Sequence, residues 1–272
     1  MKKILEDTIH LSSLDSYTPV YHHFQNYRVG SSPDSLMVFL THLVPSSPVM
    51  VVFFSHYTTG TVENKLTPEV PYYARWSWAP KLSPHCSCLY VDDCSSQDEA
   101  DGFKRTYWYL GKGLMERCAL MIRKIRDVCN VPPTNLVFCG ASMGGFASLS
   151  MMRYFPDAVS LVCNSQTNLY YYWPTHVKKI EAFLQRPLTP EETNVAVHLT
   201  REARIVYLQC EQDVHHMNHH YQRFRDLTTD YPNIRYKLFQ DEKGHNAGCN
   251  VSDFETFLQE EFGIGIGIGI TL

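Results

Sequence analysis

The residues best suited to chemistry lie together in Phe138-Cys139-Gly140-Ala141-Ser142-Met143-Gly144-Gly145. Gly140-x-Ser142-x-Gly144, after an apolar run and ahead of a second one, has the spacing of a tight turn from strand to helix. Only very small side chains fit beside such a turn, which accounts for glycine on both flanks. The turn lifts the serine above the carboxyl edge of a sheet, at the amino end of a helix whose dipole favours developing negative charge. The chemistry this suits is nucleophilic acyl transfer, which needs a base for the serine proton and an acid to orient that base. Lys243-Gly244-His245-Asn246-Ala247-Gly248 offers the base, because its glycines let the loop turn His245 back over Ser142. Asp213, just past the apolar run of residues 205–210, offers the acid. Glu211 and Asp241 compete, but Glu211 comes earlier in the turn and Asp241 is close to His245 in sequence. The order Ser142, Asp213, His245 suits a serine site at the end of successive strands. Oxyanion donors are expected from the amide of Met143 and from that of His56 or Tyr57, in the loop after residues 49–55.

These side chains need a scaffold, and the chain supplies alternating strand-like and helix-like segments. Strands are expected at residues 35–43, 49–55, 88–91, 135–139, 159–163, 204–210 and 235–238. Helices are expected at 107–128, 144–154, 177–185, 216–228 and 251–262. Pro45-Ser46-Ser47-Pro48 reads as a turn closing a hairpin between the first two strands. The alternation implies a mostly parallel central sheet with helices on both faces, and together with the serine turn it gives the expectation of an α/β-hydrolase fold. No linker divides the chain, so residues 1–262 are expected to form a single domain. Residues 60–84, rich in proline and aromatics, read as an ordered loop over the sheet. Residues 263–272 begin a Gly-Ile repeat that packs poorly as a strand and reads as a frayed tail.

Composition narrows the function classes. Of the 272 residues 44% are hydrophobic and 19% charged, an ordinary globular balance. A formal charge of −4, from 24 basic and 28 acidic residues, argues against nucleic acid as a partner. The longest apolar runs are too short to span a bilayer. Met1-Lys2-Lys3-Ile4-Leu5 begins like a signal peptide, but Glu6 and Asp7 fall where its apolar stretch belongs. Nine scattered cysteines therefore suggest a reduced, cytoplasmic protein without structural disulfides. His215-His216-Met217-Asn218-His219-His220 and Cys86, Cys88 and Cys94 lack strong metal-ligand spacing, so no metal is expected. Tyr170-Tyr171-Tyr172-Trp173 either packs on the sheet or, beside the serine, stacks against sugar rings.

Four segments together resemble bacterial capsular polysaccharide O-acetyltransferases of α/β-hydrolase type, a group that includes the enzyme of the meningococcal serogroup A capsule. They are Thr106-Tyr107-Trp108-Tyr109 with Gly111, Gly140–Gly145, Asn164-Ser165-Gln166-Thr167-Asn168-Leu169, and Asp213–Asn218 with Gly244-His245-Asn246. The wider group includes capsule-biosynthesis and accessory-secretion proteins. The resemblance implies transfer of acetyl from acetyl-CoA, a donor substrate and not a bound cofactor, through Ser142 to a hydroxyl of a polysaccharide. It carries over Ser142, Asp213 and His245 as catalytic residues, and Asn164, Gln166 and His216 as substrate-binding or near-site residues, beside Tyr170 and Trp173. Met143 stands where the serogroup A enzyme is expected to have lysine. The alternatives are a carbohydrate esterase or deacetylase with the same three residues, and a non-catalytic factor peripheral to a capsule-assembly complex.

Overall fold

The computed structural model describes residues 7–30, 36–56, 58–59, 71–83, 85–94, 104–105, 108–111 and 113–265. The runs with the most continuous apolar character become the middle of the sheet. Val49–Phe54 is buried at every position and lies between two parallel neighbours, as a strand covered on both faces must. The strands in chain order are β1 (Ile9–Leu11), β2 (Phe24–Val29), β3 (Met37–His42), β4 (Val49–Phe54), β5 (Thr58–Thr59), β6 (Cys86–Val91), β7 (Lys104–Arg105), β8 (Leu136–Ala141), β9 (Val159–Cys163), β10 (Arg204–Cys210) and β11 (Ile234–Phe239). Nine of them form one sheet in the order β1-β2-β3-β6-β4-β8-β9-β10-β11, while β5 and β7 form a separate pair. Within the sheet β3 runs antiparallel to both its neighbours, and the other pairings are parallel. The parallel arrangement brings the carboxyl ends of β4, β8, β10 and β11 to one edge, where Ser142, Asp213 and His245 follow their strands.

The main helices are α1 (Leu114–Val128), α2 (Met143–Met151), α3 (Pro174–Leu184), α4 (Gln222–Leu227) and α5 (Val251–Phe262). Successive residues of β4 show how the two faces are covered. Phe53 meets Trp78 and Phe254 of α5, whereas Phe54 meets Tyr109 and Phe138 on the opposite face. Every residue of α2 is buried, so this helix is apolar all round.

Several boundaries differ from expectation for identifiable reasons. Residues 45–48 do not close a hairpin, because β6 lies between β3 and β4. The Ser47 hydroxyl donates to the carbonyls of Val49 and His85 and accepts from the Ser87 amide, tying the connection to β6. The helix expected from residue 107 starts at Leu114, behind Gly113 in the left-handed region (φ 72°). Ahead of it Trp108 and Tyr109, both with positive φ, are buried and lead toward the serine. The helix expected at 216–228 starts with a turn at Val214–His216 and passes through a π-helical segment, Met217–Tyr221, before α4. Strands β1 and β2 lack strong apolar runs; β2 is held by Tyr27 stacking on Phe39 and by buried Asn26, bonded to Thr8 and Tyr73. Of the loop at 60–84, residues 71–83 are described and ordered, with the Ser55 hydroxyl donating to the Tyr72 carbonyl at 2.6 Å. The repeat beyond residue 265 lies outside the described residues. All nine cysteines are buried and free.

Candidate active site

Steric necessity shapes the turn that carries Ser142. A Cβ on Gly140 would lie 2.1 Å from the Gly144 carbonyl oxygen, and one on Gly144 would lie 2.4 Å from that of Phe54. A Cβ on Gly145 would strike the Ser165 side chain at 2.5 Å. Ser142 itself has φ 54° and ψ −122°, a strained conformation for a side-chain-bearing residue. Its amide donates to the Cys163 carbonyl, and its carbonyl accepts from Phe146 and Gln166 amides, so backbone bonds hold the strained turn. The amides of Met143 and His56, at the ends of β8 and β4, donate to no described residue. Met143 contributes no exposed side chain, being fully buried. Tyr57 lies outside the described residues.

From β11 the loop returns His245 to the serine, with Nε2 3.0 Å from Ser142 Oγ. Its Nδ1 is 2.7 Å from Asp213 Oδ2. Asp213 is 5% exposed and His245 37%, so the acid is shielded while the imidazole reaches solvent. Burial alone would raise the Asp213 pKa, but hydrogen bonds from His216 and His245 outweigh it and hold the carboxyl well below the usual range. The rival acids point elsewhere. Glu211 accepts from Gln240, and Asp241 caps its own turn through the Lys243 amide.

Asn164 and Gln166 follow β9 and are almost fully buried. Asn164, expected in a substrate wall, instead braces the histidine loop. Its Nδ2 donates to the carbonyls of Ala247 at 2.7 Å and His245 at 3.3 Å, while its Oδ1 accepts from the Cys210 amide. Gln166 donates from Nε2 to Ser142 Oγ at 2.9 Å, and Nε2 also lies 2.9 Å from His216 Nε2. Trp108, which motif reasoning did not assign to the site, donates from its indole to Gln166 Oε1 at 3.3 Å. His216, 4% exposed, is stacked on His245 with ring centroids 4.1 Å apart. Burial lowers its pKa, as it lowers those of His56, to about 4, and His220, to about 2. The positive charges of Arg75 and His245 act on His56 in the same direction.

The remaining candidates lie around this group. Trp173 is 54% exposed and lies flat against His215, with centroids 4.8 Å apart. Tyr170 is exposed but turned aside, its hydroxyl donating to the Leu188 carbonyl. Tyr172, from the middle of the same aromatic run, bridges Trp108, His176 and His216. On the other side Arg75 packs over Trp78, and its buried Nη1 donates to no described residue. Among the described residues, Asp213, His216 and His245 form the one gathering of possible metal ligands, within 4.8 Å. His215 and His219 face one another beside Trp173, and buried Cys86 and Cys88 are β6 core residues whose thiol pKa values burial pushes up.

No protein-family model matches the chain, and no curated protein matches it in sequence. Solved structures do. The capsule O-acetyltransferase of Neisseria meningitidis serogroup A is 16% identical, with a TM-score of 0.62 over 83% of this chain and 91% of that one. A histidine-to-alanine variant of that enzyme, 15% identical with a TM-score of 0.60, was solved in complex with CoA. A carboxylesterase candidate from Lactobacillus plantarum is 10% identical, with a TM-score of 0.57 over 88% of this chain and 98% of that one. Porphyromonas gingivalis dipeptidyl peptidase 4 is 13% identical, and the match covers 89% of this chain but 35% of that one, with a TM-score of 0.57. The sheet order and these likenesses together make the fold that of the α/β-hydrolases.

Proposed function

We propose that the protein is a serine-dependent O-acetyltransferase that moves acetyl from acetyl-CoA to a hydroxyl of a capsular or other surface polysaccharide. The observation carrying this reading is the hydrogen-bonded series from Ser142 Oγ through His245 to Asp213, on a shielded carboxylate. His245 takes the serine proton as Oγ attacks the thioester carbonyl, and Asp213 stabilises the resulting imidazolium. The oxyanion is held by the Met143 amide with that of His56 or Tyr57. The imidazolium then protonates the departing CoA thiolate, leaving acetyl on Ser142. In the second half, His245 removes the proton of a sugar hydroxyl as it attacks the acetyl-serine, and returns that proton to Ser142 Oγ as the serine ester bond breaks.

The surroundings support the donor and acceptor classes. The serogroup A capsule O-acetyltransferase, a histidine-to-alanine variant of which was solved with CoA, shares this fold. Exposed Trp173 offers a flat face suited to a sugar ring. Arg75 supplies an unspent donor for an anionic group in a chain of net charge −4. Nine free, buried thiols support a reducing compartment, with polymer modified in the cytoplasm beside an assembly complex. Among the described residues no helix is long and apolar enough to cross a membrane. In this reading residues 1–262 act as one α/β-hydrolase domain.

A second reading is a carbohydrate esterase or deacetylase, favoured by the solvent exposure of His245, which lets water reach an acyl-serine. Incubation with labelled acetyl-CoA and a panel of capsule polymers separates the two. Transfer predicts acetyl-CoA consumption that depends on polymer and label that stays on it. Consumption indifferent to polymer, or release of acetate from acetylated polymer alone, supports the hydrolase.

A further inference from the structure

Asp213 has two imidazole partners, one on each carboxylate oxygen. His245 Nδ1 lies 2.7 Å from Oδ2, and His216 Nδ1 lies 3.1 Å from Oδ1, with the His216 amide on the same oxygen at 3.3 Å. The second imidazole leads back to the serine, since Gln166 Nε2 is 2.9 Å from both His216 Nε2 and Ser142 Oγ. Ser142, His245, Asp213, His216 and Gln166 thus form a closed hydrogen-bonded ring.

Donor and acceptor chemistry assigns every proton in it. The Trp108 indole can only donate, so the Gln166 atom facing it is the carbonyl oxygen. The amide NH₂ of Gln166 therefore faces Ser142 and His216, one hydrogen to each. His216 Nε2 must accept, which leaves its proton on Nδ1, directed at Asp213 Oδ1. Ser142 Oγ already accepts from Gln166, so its own proton goes to His245 Nε2, and His245 carries its other proton on Nδ1. Each donor has one acceptor, and Ser142 is left with its proton aimed at its base.

We propose that Gln166 and His216, anchored by Trp108, are positioning residues that hold the Ser142 proton toward His245 and keep His216 neutral while His245 takes the charge. Neutrality matters because the two rings are stacked at 4.1 Å, and two cations at that separation repel. The titratable groups facing His216 are Asp213, His245, His215, His220 and Tyr172, and those acting on or beside His245 are Asp213, His216, His215 and His56. This inference rests on Ser142 being the nucleophile but not on which acceptor receives the acyl group.

The test uses a fluorophosphonate probe, which reads serine reactivity in transferase and hydrolase alike, and nitrogen NMR of histidine-labelled protein, which reads tautomers without turnover. In the wild type, His216 is expected as the neutral Nδ1–H tautomer from pH 6 to 8. His216→Phe keeps a ring against His245 and is expected to slow labelling about tenfold, the rate equivalent of one hydrogen bond. Its labelling profile should also move to higher pH on the acid side, because Asp213 then concentrates its charge on His245. Gln166→Glu cannot donate to either neighbour in its charged form; it should slow labelling further and convert His216 to an imidazolium in the spectrum. Trp108→Phe, the mildest change, should slow labelling about threefold. Normal labelling by folded His216→Phe and Gln166→Glu would overturn the proposal. So would a wild-type His216 that is charged or protonated on Nε2. A wild type that never labels yet shows the expected tautomer would overturn the serine reading while leaving the ring's proton assignment standing.

Discussion

On one side of Ser142, six consecutive residues from Gly140 to Gly145 turn β8 into α2, and the turn is held by the closeness of backbone to backbone. On the other side, Trp108, Gln166, Asp213, His216 and His245 arrive from four separate segments and meet through side-chain hydrogen bonds. The first region tolerates no added atom, because what a Cβ would strike is largely main chain. The second is exposed to loss of a proton or a donor rather than to volume. Steric construction makes the nucleophile's place insensitive to solution conditions, whereas the imidazole side depends on pH.

The largest effect tests the point where both regions meet. Ser142→Ala is expected to lower acetyl transfer by roughly 10⁴-fold or more with the fold retained, measured with labelled acetyl-CoA and a polymer acceptor. Retained transfer would place the nucleophile elsewhere. Gly144→Ala attacks the steric side alone: with the Phe54 carbonyl 2.4 Å from the new methyl, it should destabilise the protein by about 3 kcal/mol in urea denaturation. A neutral result there would mean that α2 can move off β4.

Asn164→Ala attacks the other side. It removes the bond from Ala247 and leaves the buried Cys210 amide without its acceptor, for a loss of about 2 kcal/mol. Because those bonds fix the His245 loop, fluorophosphonate labelling should slow as well, which a purely steric site would not show. The pH dependence then separates the regions without mutation. His56, His216 and His220 have folded pKa values below the usual 6.5, so between these limits the unfolded chain binds more protons. Stability is therefore full above about pH 6.5 and falls as pH drops toward about 4, by up to ~1.4 kcal/mol per pH unit for each histidine. Asp213, whose folded pKa is depressed, extends the same loss below about pH 4. A flat stability curve from pH 7 to 4.5 would contradict the neutral assignment of these rings. The smallest effect belongs to neither side: Trp173→Ala should raise KM for polymer about threefold while leaving fluorophosphonate labelling unchanged.

Much of the molecule could be read from its residues because the responsible forces are local. The buried or largely buried runs of β4, β8, β9 and β10 announce themselves by apolar continuity, and α5 by its spacing, so these segments lie close to where the pattern puts them. The glycines of the turn are equally legible, since neighbouring atoms come so close that no Cβ fits there. Pairing partners are not local, and the 45–48 connection shows this. Its turn residues suit a hairpin, but β4 gains two parallel neighbours by admitting β6 beside it.

What the sequence determined by itself is a serine on a strand-to-helix turn, with an aspartate and a histidine following in the order such a sheet requires. Those features depend on spacing along one strand or one loop. The tertiary structure alone decided that Asp213 takes a second imidazole, that Asn164 braces a loop rather than lining a wall, and that Trp108 orients Gln166. Each depends on a hydrogen bond between residues 3 to 83 positions apart, and which donor meets which acceptor is fixed only when the sheet has set the strand ends side by side.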